Sequence, residues 1–113
     1  MFVCNDFWTS ERLYINNQDG TFTNVNKEVL PRNSLFSMGS DAADFNNDGW
    51  LDMVSVDMMP QDNRRQKSRY NQFSMETFRM LNKMGKHQQY SRNMLFYGSS
   101  DGSFVEAGML SGI

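Results

Sequence analysis

The run Asp44-Phe45-Asn46-Asn47-Asp48-Gly49-Trp50-Leu51-Asp52 constrains this chain more than any other stretch. It reads D-x-N-x-D-G-x-x-D, with side-chain oxygens at positions 1, 3, 5 and 9 and glycine at position 6. Hard cations take several oxygens on a small sphere, and alternate residues of a tight loop can all point inward. Gly49 permits a sharp backbone turn where a Cβ would clash. The backbone carbonyl of Trp50, at position 7, supplies a further oxygen in loops of this spacing. A plain Asn/Asp/Gly turn, bonded to its own backbone, is the competing reading. Three carboxylates phased over nine residues, with no basic residue among them to offset their repulsion, favour a calcium loop. The expected ligands are Asp44, Asn46, Asp48 and Asp52 through side chains and Trp50 through its carbonyl.

The flanks decide what kind of loop this is. A helix-loop-helix hand needs a bidentate Glu at position 12, and Ser55 stands there. Dockerin-like repeats and the hairpin loops of propeller blades share the spacing. After the loop, Val54, Val56 and Met58 alternate with Met53, Ser55 and Asp57, a period of two that predicts a strand. Before it, residues 36–43 include several small residues and lack a helical period. The expectation is strand, calcium loop, strand.

An internal repeat points the same way. Leu13-Tyr14-Ile15-Asn16-Asn17-Gln18-Asp19-Gly20-Thr21-Phe22 recurs as Leu95-Phe96-Tyr97-Gly98-Ser99-Ser100-Asp101-Gly102-Ser103-Phe104. Each copy reads as a β-hairpin closed on Asp-Gly. The copies lie 82 residues apart, beyond a simple blade period of roughly 40–60 residues. An insertion between Met59 and Arg92 accounts for the excess. Its first part, Gln61 to Arg69, is polar and basic, with Arg64, Arg65, Lys67 and Arg69. Phe73, Thr77, Phe78, Leu81 and Met84 then recur at helical spacing and predict one short amphipathic helix, roughly Gln72 to Met84. Ser74 is placed to cap its start and Gly85 to occupy its C′ position. The apolar stripe reads as packing onto a sheet. The basic run reads as a solvated face or as partners for nearby carboxylates. No aromatic ladder accompanies it and the net charge is −2, so no nucleic-acid partner is expected.

Together these elements resemble the FG-GAP/VCBS repeat family, in the group that includes cartilage-acidic-protein and ASPIC/UnbV-associated proteins. The segments that carry the resemblance are 4–7, Arg12-Leu13-Tyr14-Ile15-Asn16-Asn17, 19–25, Met38-Gly39, the calcium loop and 57–66. Residues 90–95 are similar to versions common in Bacteroidetes. The second hairpin departs from the pattern, with Gly98-Ser99-Ser100 in place of an Asn-Asn-Gly type of turn. The resemblance implies an all-β fold of propeller-type blades, each a four-stranded antiparallel sheet with calcium between its first two strands, as in integrin α-subunits. Residues 1–30 would then hold the last three strands of one blade, at 1–5, 12–17 and 21–25. Residues 31–113 would form a second blade, with strands at 38–43, 51–57, 93–98 and 103–106, the calcium loop at 44–52 and a helical insertion at 60–92.

Composition sets outer bounds. A length of 113 residues suits one small domain, and the repeat pattern predicts a fragment of a larger propeller whose remaining blades are its first partners. No stretch is apolar enough to span a membrane. Cys4 is the only cysteine, so no internal disulfide forms, and it reads as a small apolar strand residue. His87, the only histidine, reads as a surface residue. No nucleophile elbow or phosphate-binding glycine loop occurs. The paired carboxylates are already assigned to calcium, so no enzyme is expected. The expectation is a non-enzymatic calcium-binding module that mediates adhesion, or glycan or protein binding. Its setting would be extracellular, at the cell surface or periplasmic, where calcium is abundant. The alternative is an accessory propeller domain of a carbohydrate-active enzyme such as a polysaccharide lyase.

Overall fold

Alternating residues around the two Asp-Gly turns fold as strands. The computed structural model describes residues 1–6, 9–59, 62–70 and 75–113. Strands β1 (Phe2–Val3), β2 (Arg12–Asn16) and β3 (Phe22–Asn24) form an antiparallel sheet in that order. A single turn of helix, α1 (Asn26–Val29), follows. The chain then enters β4 (Asn33–Ser34), β5 (Ser37–Ala43) and β6 (Asp52–Asp57). Helices α2 (Asn63–Tyr70) and α3 (Met75–Lys83) come next, then β7 (Gln89–Tyr90), β8 (Met94–Gly98) and β9 (Phe104–Glu106). Strands β5, β6, β8 and β9 build a four-stranded antiparallel sheet in the order β5-β6-β8-β9. Its members match the four strands expected for the second half, each to within a residue or two.

The two hairpins close alike. In the β2–β3 turn, Asp19 Oδ1 accepts the Thr21 N–H at 2.9 Å and Asn17 N–H donates to the Thr21 carbonyl at 3.0 Å. In the β8–β9 turn, Asp101 Oδ1 accepts the Ser103 N–H at 3.0 Å and Ser99 N–H donates to the Ser103 carbonyl at 3.1 Å. Ser99 also takes the role of the Asn17 side chain. Asn17 Nδ2 donates to Thr21 Oγ1 at 2.8 Å, and the Ser99 and Ser103 hydroxyls bond at 2.9 Å. The departure from an Asn-type turn leaves the geometry intact.

The core lies between the two sheets. Leu13 of β2 and Leu30 after α1 meet Met53, Met94 and Phe96 of the larger sheet, with Phe2, Val25, Val29, Tyr90 and Phe104 packed around them. Met94 and Phe96 are fully buried, and each such side chain contributes about 1.5–3 kcal/mol by leaving water. Met53, Ser55, Met94 and Phe96 share one face through their register, Met53 opposite Phe96 and Ser55 opposite Met94. The opposite face carries Val56 and Val105, 46% and 63% exposed. Neither sheet closes on itself among the described residues, so β5 and β9 are free edges.

The insertion departs from expectation. Among the described residues, helical turns lie at both α2 and α3 where one helix is expected, and α2 falls on the basic run, which reads as a solvated face or as partners for nearby carboxylates. Arg, Gln and Lys are good helix formers, and Asp62 Oδ1 caps the start by accepting the Arg64 N–H at 3.2 Å. The expected single helix survives as α3, with Leu81 buried and Phe78 against Tyr90 at 5.8 Å between ring centroids. Its outermost predicted member, Met84, is 66% exposed. Residues 72–74, including the expected cap Ser74, lie outside the described residues. Gly85, at φ +69°, does end the helix. Its N–H donates to the Asn82 carbonyl at 3.1 Å and the Lys86 N–H to the Leu81 carbonyl at 3.1 Å, a Schellman closure. Beyond it, His87 is a half-buried tie, its Nε2 lying 2.8 Å from the Leu30 carbonyl. The short β4, paired in parallel with β7, was not anticipated either. A two-residue bridge leaves no periodic signature.

Candidate metal centre

The run 44–52 is the turn of the β5–β6 hairpin. Ala43 pairs with Asp52, so the strands fix both ends of the loop. Asn47 and Gly49 adopt φ of +59° and +89°. Asn and Gly are the residues that tolerate this left-handed region. The polar side chains fold over the backbone. Asp44 Oδ1 and Asn46 Oδ1 both accept the Asp48 N–H, at 3.1 and 3.0 Å. Asp44 Oδ2 accepts the Gly49 N–H at 2.9 Å. Asp48 Oδ1 accepts the Trp50 N–H at 2.8 Å, while Asn46 Nδ2 donates to Asp48 Oδ2 at 2.8 Å.

Two oxygens that reach one amide hydrogen lie close to each other. The loop therefore draws Asp44, Asn46 and Asp48 together. Asp52 is set differently. It is fully buried, with Oδ2 accepting the Phe45 N–H at 2.8 Å and Oδ1 the Gly98 N–H at 2.9 Å. Its carboxylate stitches the loop to the end of β8. Gly98 is suited to this spot, because a Cβ there would overlap the Leu51 carbonyl oxygen. Gly98 is the functional neighbour that sequence reasoning missed; its only signal was a glycine inside a strand pattern.

These donors fit a hard cation in type. All are oxygens, and a carboxylate oxygen that accepts one N–H keeps a second lone pair. The loop holds no cationic side chain. Among the described residues, no three His, Cys, Asp or Glu side chains gather closely enough to hold a metal by themselves. Any ion at this turn would therefore lean on the Asn46 amide oxygen and on backbone carbonyls such as that of Trp50. Around the loop, Phe45, Trp50 and Leu51 are 46%, 48% and 65% exposed.

The sequence from the first sheet through this loop and into β6 matches a known family. Residues 1–55 match the FG-GAP-like repeat. That stretch, just under half of the chain, is similar to the FG-GAP-like repeat. No curated protein and no solved structure matches it. The FG-GAP-like match takes in β1 to β5, the loop and the first half of β6. The second copy of the hairpin, at β8–β9, lies beyond it. Among the described residues no helix is long and apolar enough to cross a membrane.

Proposed function

We propose that this FG-GAP-like chain is a non-enzymatic, calcium-binding module of a β-propeller at the cell surface or outside the cytoplasm, acting in adhesion or in binding a glycan or protein partner. The D-x-N-x-D-G-x-x-D turn between the first two strands of a four-stranded antiparallel sheet carries this reading. Asp44, Asn46, Asp48 and Asp52 would offer side-chain oxygens and Trp50 its carbonyl. Calcium bound there supplies charge neutralisation for the loop carboxylates. The chain's own residues do the remaining work. Gly49 and Asn47 turn the backbone, and Asp52 transmits the loop's position to β8 through the Gly98 N–H.

Partner binding is supported by the exposed apolar residues. Phe45, Trp50 and Leu51 on the loop offer contact area on an otherwise polar turn. The open sheet face with Val56 and Val105 suits further blades of a longer chain. Isothermal titration of the chain with calcium, with magnesium as control, tests the reading. Calcium-selective binding that Asp48→Ala removes supports it. Equal and weak heats for both ions, unaffected by Asp48→Ala, contradict it.

A further inference from the structure

Away from the loop, Glu11 is a buried carboxylate that no cation among the described residues balances. It precedes β2 in the first sheet and is fully buried. Its Oε2 accepts the Ser34 N–H at 3.1 Å. Among the described residues its Oε1 has no hydrogen-bond partner, and neither do the Ser37 and Ser55 hydroxyls, which lie near it on β5 and β6 of the second sheet. Three orphaned oxygens thus meet between the sheets. Asp57 adds a negative charge from the end of β6, its carboxylate accepting from the Ser34 and Ser91 hydroxyls and the Leu35 and Phe36 N–H groups. Arg12, Lys27 and Glu28 line the polar pocket beside Glu11. Both cations are directed elsewhere: Arg12 Nη1 donates to the Tyr14 hydroxyl and Lys27 Nζ to the Gly85 carbonyl. Among the described residues Glu11 has no ion pair.

We propose that Glu11 is held as a neutral acid and acts as a proton-dependent clasp between the two sheets. An ionised carboxylate without a partner is costly to bury, so the site favours the proton. The neutral acid has one O–H donor and an acceptor oxygen. It donates to one serine hydroxyl and accepts from the other, which satisfies all three orphaned atoms. A metal fits less well here, because among the described residues no third carboxylate, histidine or cysteine joins Glu11 and Asp57. Burial, the largest influence, and repulsion from Asp57 raise the Glu11 pKa above its ordinary 4.5, against the lowering effect of the nearby Ser37 and Ser55 hydroxyls and the Ser34 N–H. A raised acid pKa means that the folded chain holds the proton more tightly than the unfolded chain. Stability from this group is complete below pH 4.5 and is lost as pH rises through the folded pKa. The clasp does not depend on the calcium reading.

The test compares thermal unfolding of the 113-residue chain and its Glu11→Gln variant from about pH 5 to about pH 8. Gln keeps the shape, one donor and one acceptor, and does not titrate. The wild type should lose at least about 4 °C more than the variant across this range. The difference should persist in EDTA. Parallel curves would overturn the proposal, as would a difference that vanishes on chelation, since a cation would then be holding Glu11. Carboxyl-carbon NMR of the wild type gives a readout that survives a poorly folding variant. A Glu11 midpoint above 4.5 supports the clasp, and one at or below it overturns the clasp.

Discussion

At the scale of single residues, the loop divides into an exposed part, whose oxygens are the more open to the proposed cation, and a buried part that also holds the strands. Asp48 belongs to the first. If the dissociation constant is ~0.1 mM and free calcium ~2 mM, binding stabilises the fold by about 1.8 kcal/mol. Asp48→Ala should remove that gain, so its melting temperature should be the same with and without calcium. Asp52 belongs to the second part, because both its oxygens hold backbone amides and it is fully buried. Asp52→Asn sets an NH2 against one of those amides and should cost about 1–3 kcal/mol even without calcium, read as a lower urea midpoint. The sequence pattern named all five expected ligands but not this division. Spacing shows which side chains carry oxygen, whereas burial depends on β8, whose Gly98 is 46 residues from Asp52. The hairpin aspartates give a pH signature of their own. Hydrogen bonds from Ser103 and Ser99 hold the exposed Asp101 at a pKa of about 2, and bonds from Thr21 lower that of Asp19. A lowered pKa adds stability above the unfolded value of 3.8 that is lost as pH falls toward 2. Acid titration followed by circular dichroism should therefore show a smaller loss for Asp101→Asn than for the wild type between those limits.

At the scale of elements, close approaches separate glycines that matter from those that do not. Gly98→Ala would push a Cβ into the Leu51 carbonyl, a backbone atom that cannot turn aside. It should cost about 1–3 kcal/mol in chemical denaturation. Gly39→Ala is the control, since its Cβ would meet only Val56 Cγ2, at 3.7 Å. That change should stay within about 0.5 kcal/mol. The strands were legible because their turns carry Asp-Gly and their residues alternate, as in Met53, Val54, Ser55 and Val56. The end of α3 was legible because Gly85 marked it. Helix α2 was not, because Arg64, Arg65 and Lys67 present no apolar stripe, and only Asp62 signalled its start. The clasp at Glu11 was equally silent. A lone Glu before a strand looks solvated until Ser34, Ser37 and Ser55 close over it.

At the scale of the whole molecule, two sheets share a thin core while the larger one leaves a face and two edges open. Val56 and Val105 lie on that face, and Met38 on the edge strand is 61% exposed. Free edges and bare apolar faces pair with what they meet. Sedimentation velocity on the isolated chain should accordingly show association that grows with concentration. A single monomeric boundary at every concentration would mean that the face needs no neighbour. The central claim is that the turn at 44–52 binds calcium and thereby steadies the sheet. Thermal unfolding in EGTA, then in millimolar calcium, with magnesium as control, tests it most directly. The account predicts a calcium-specific rise of several degrees. A folded chain whose melting temperature is unchanged by calcium, or raised equally by magnesium, would contradict it.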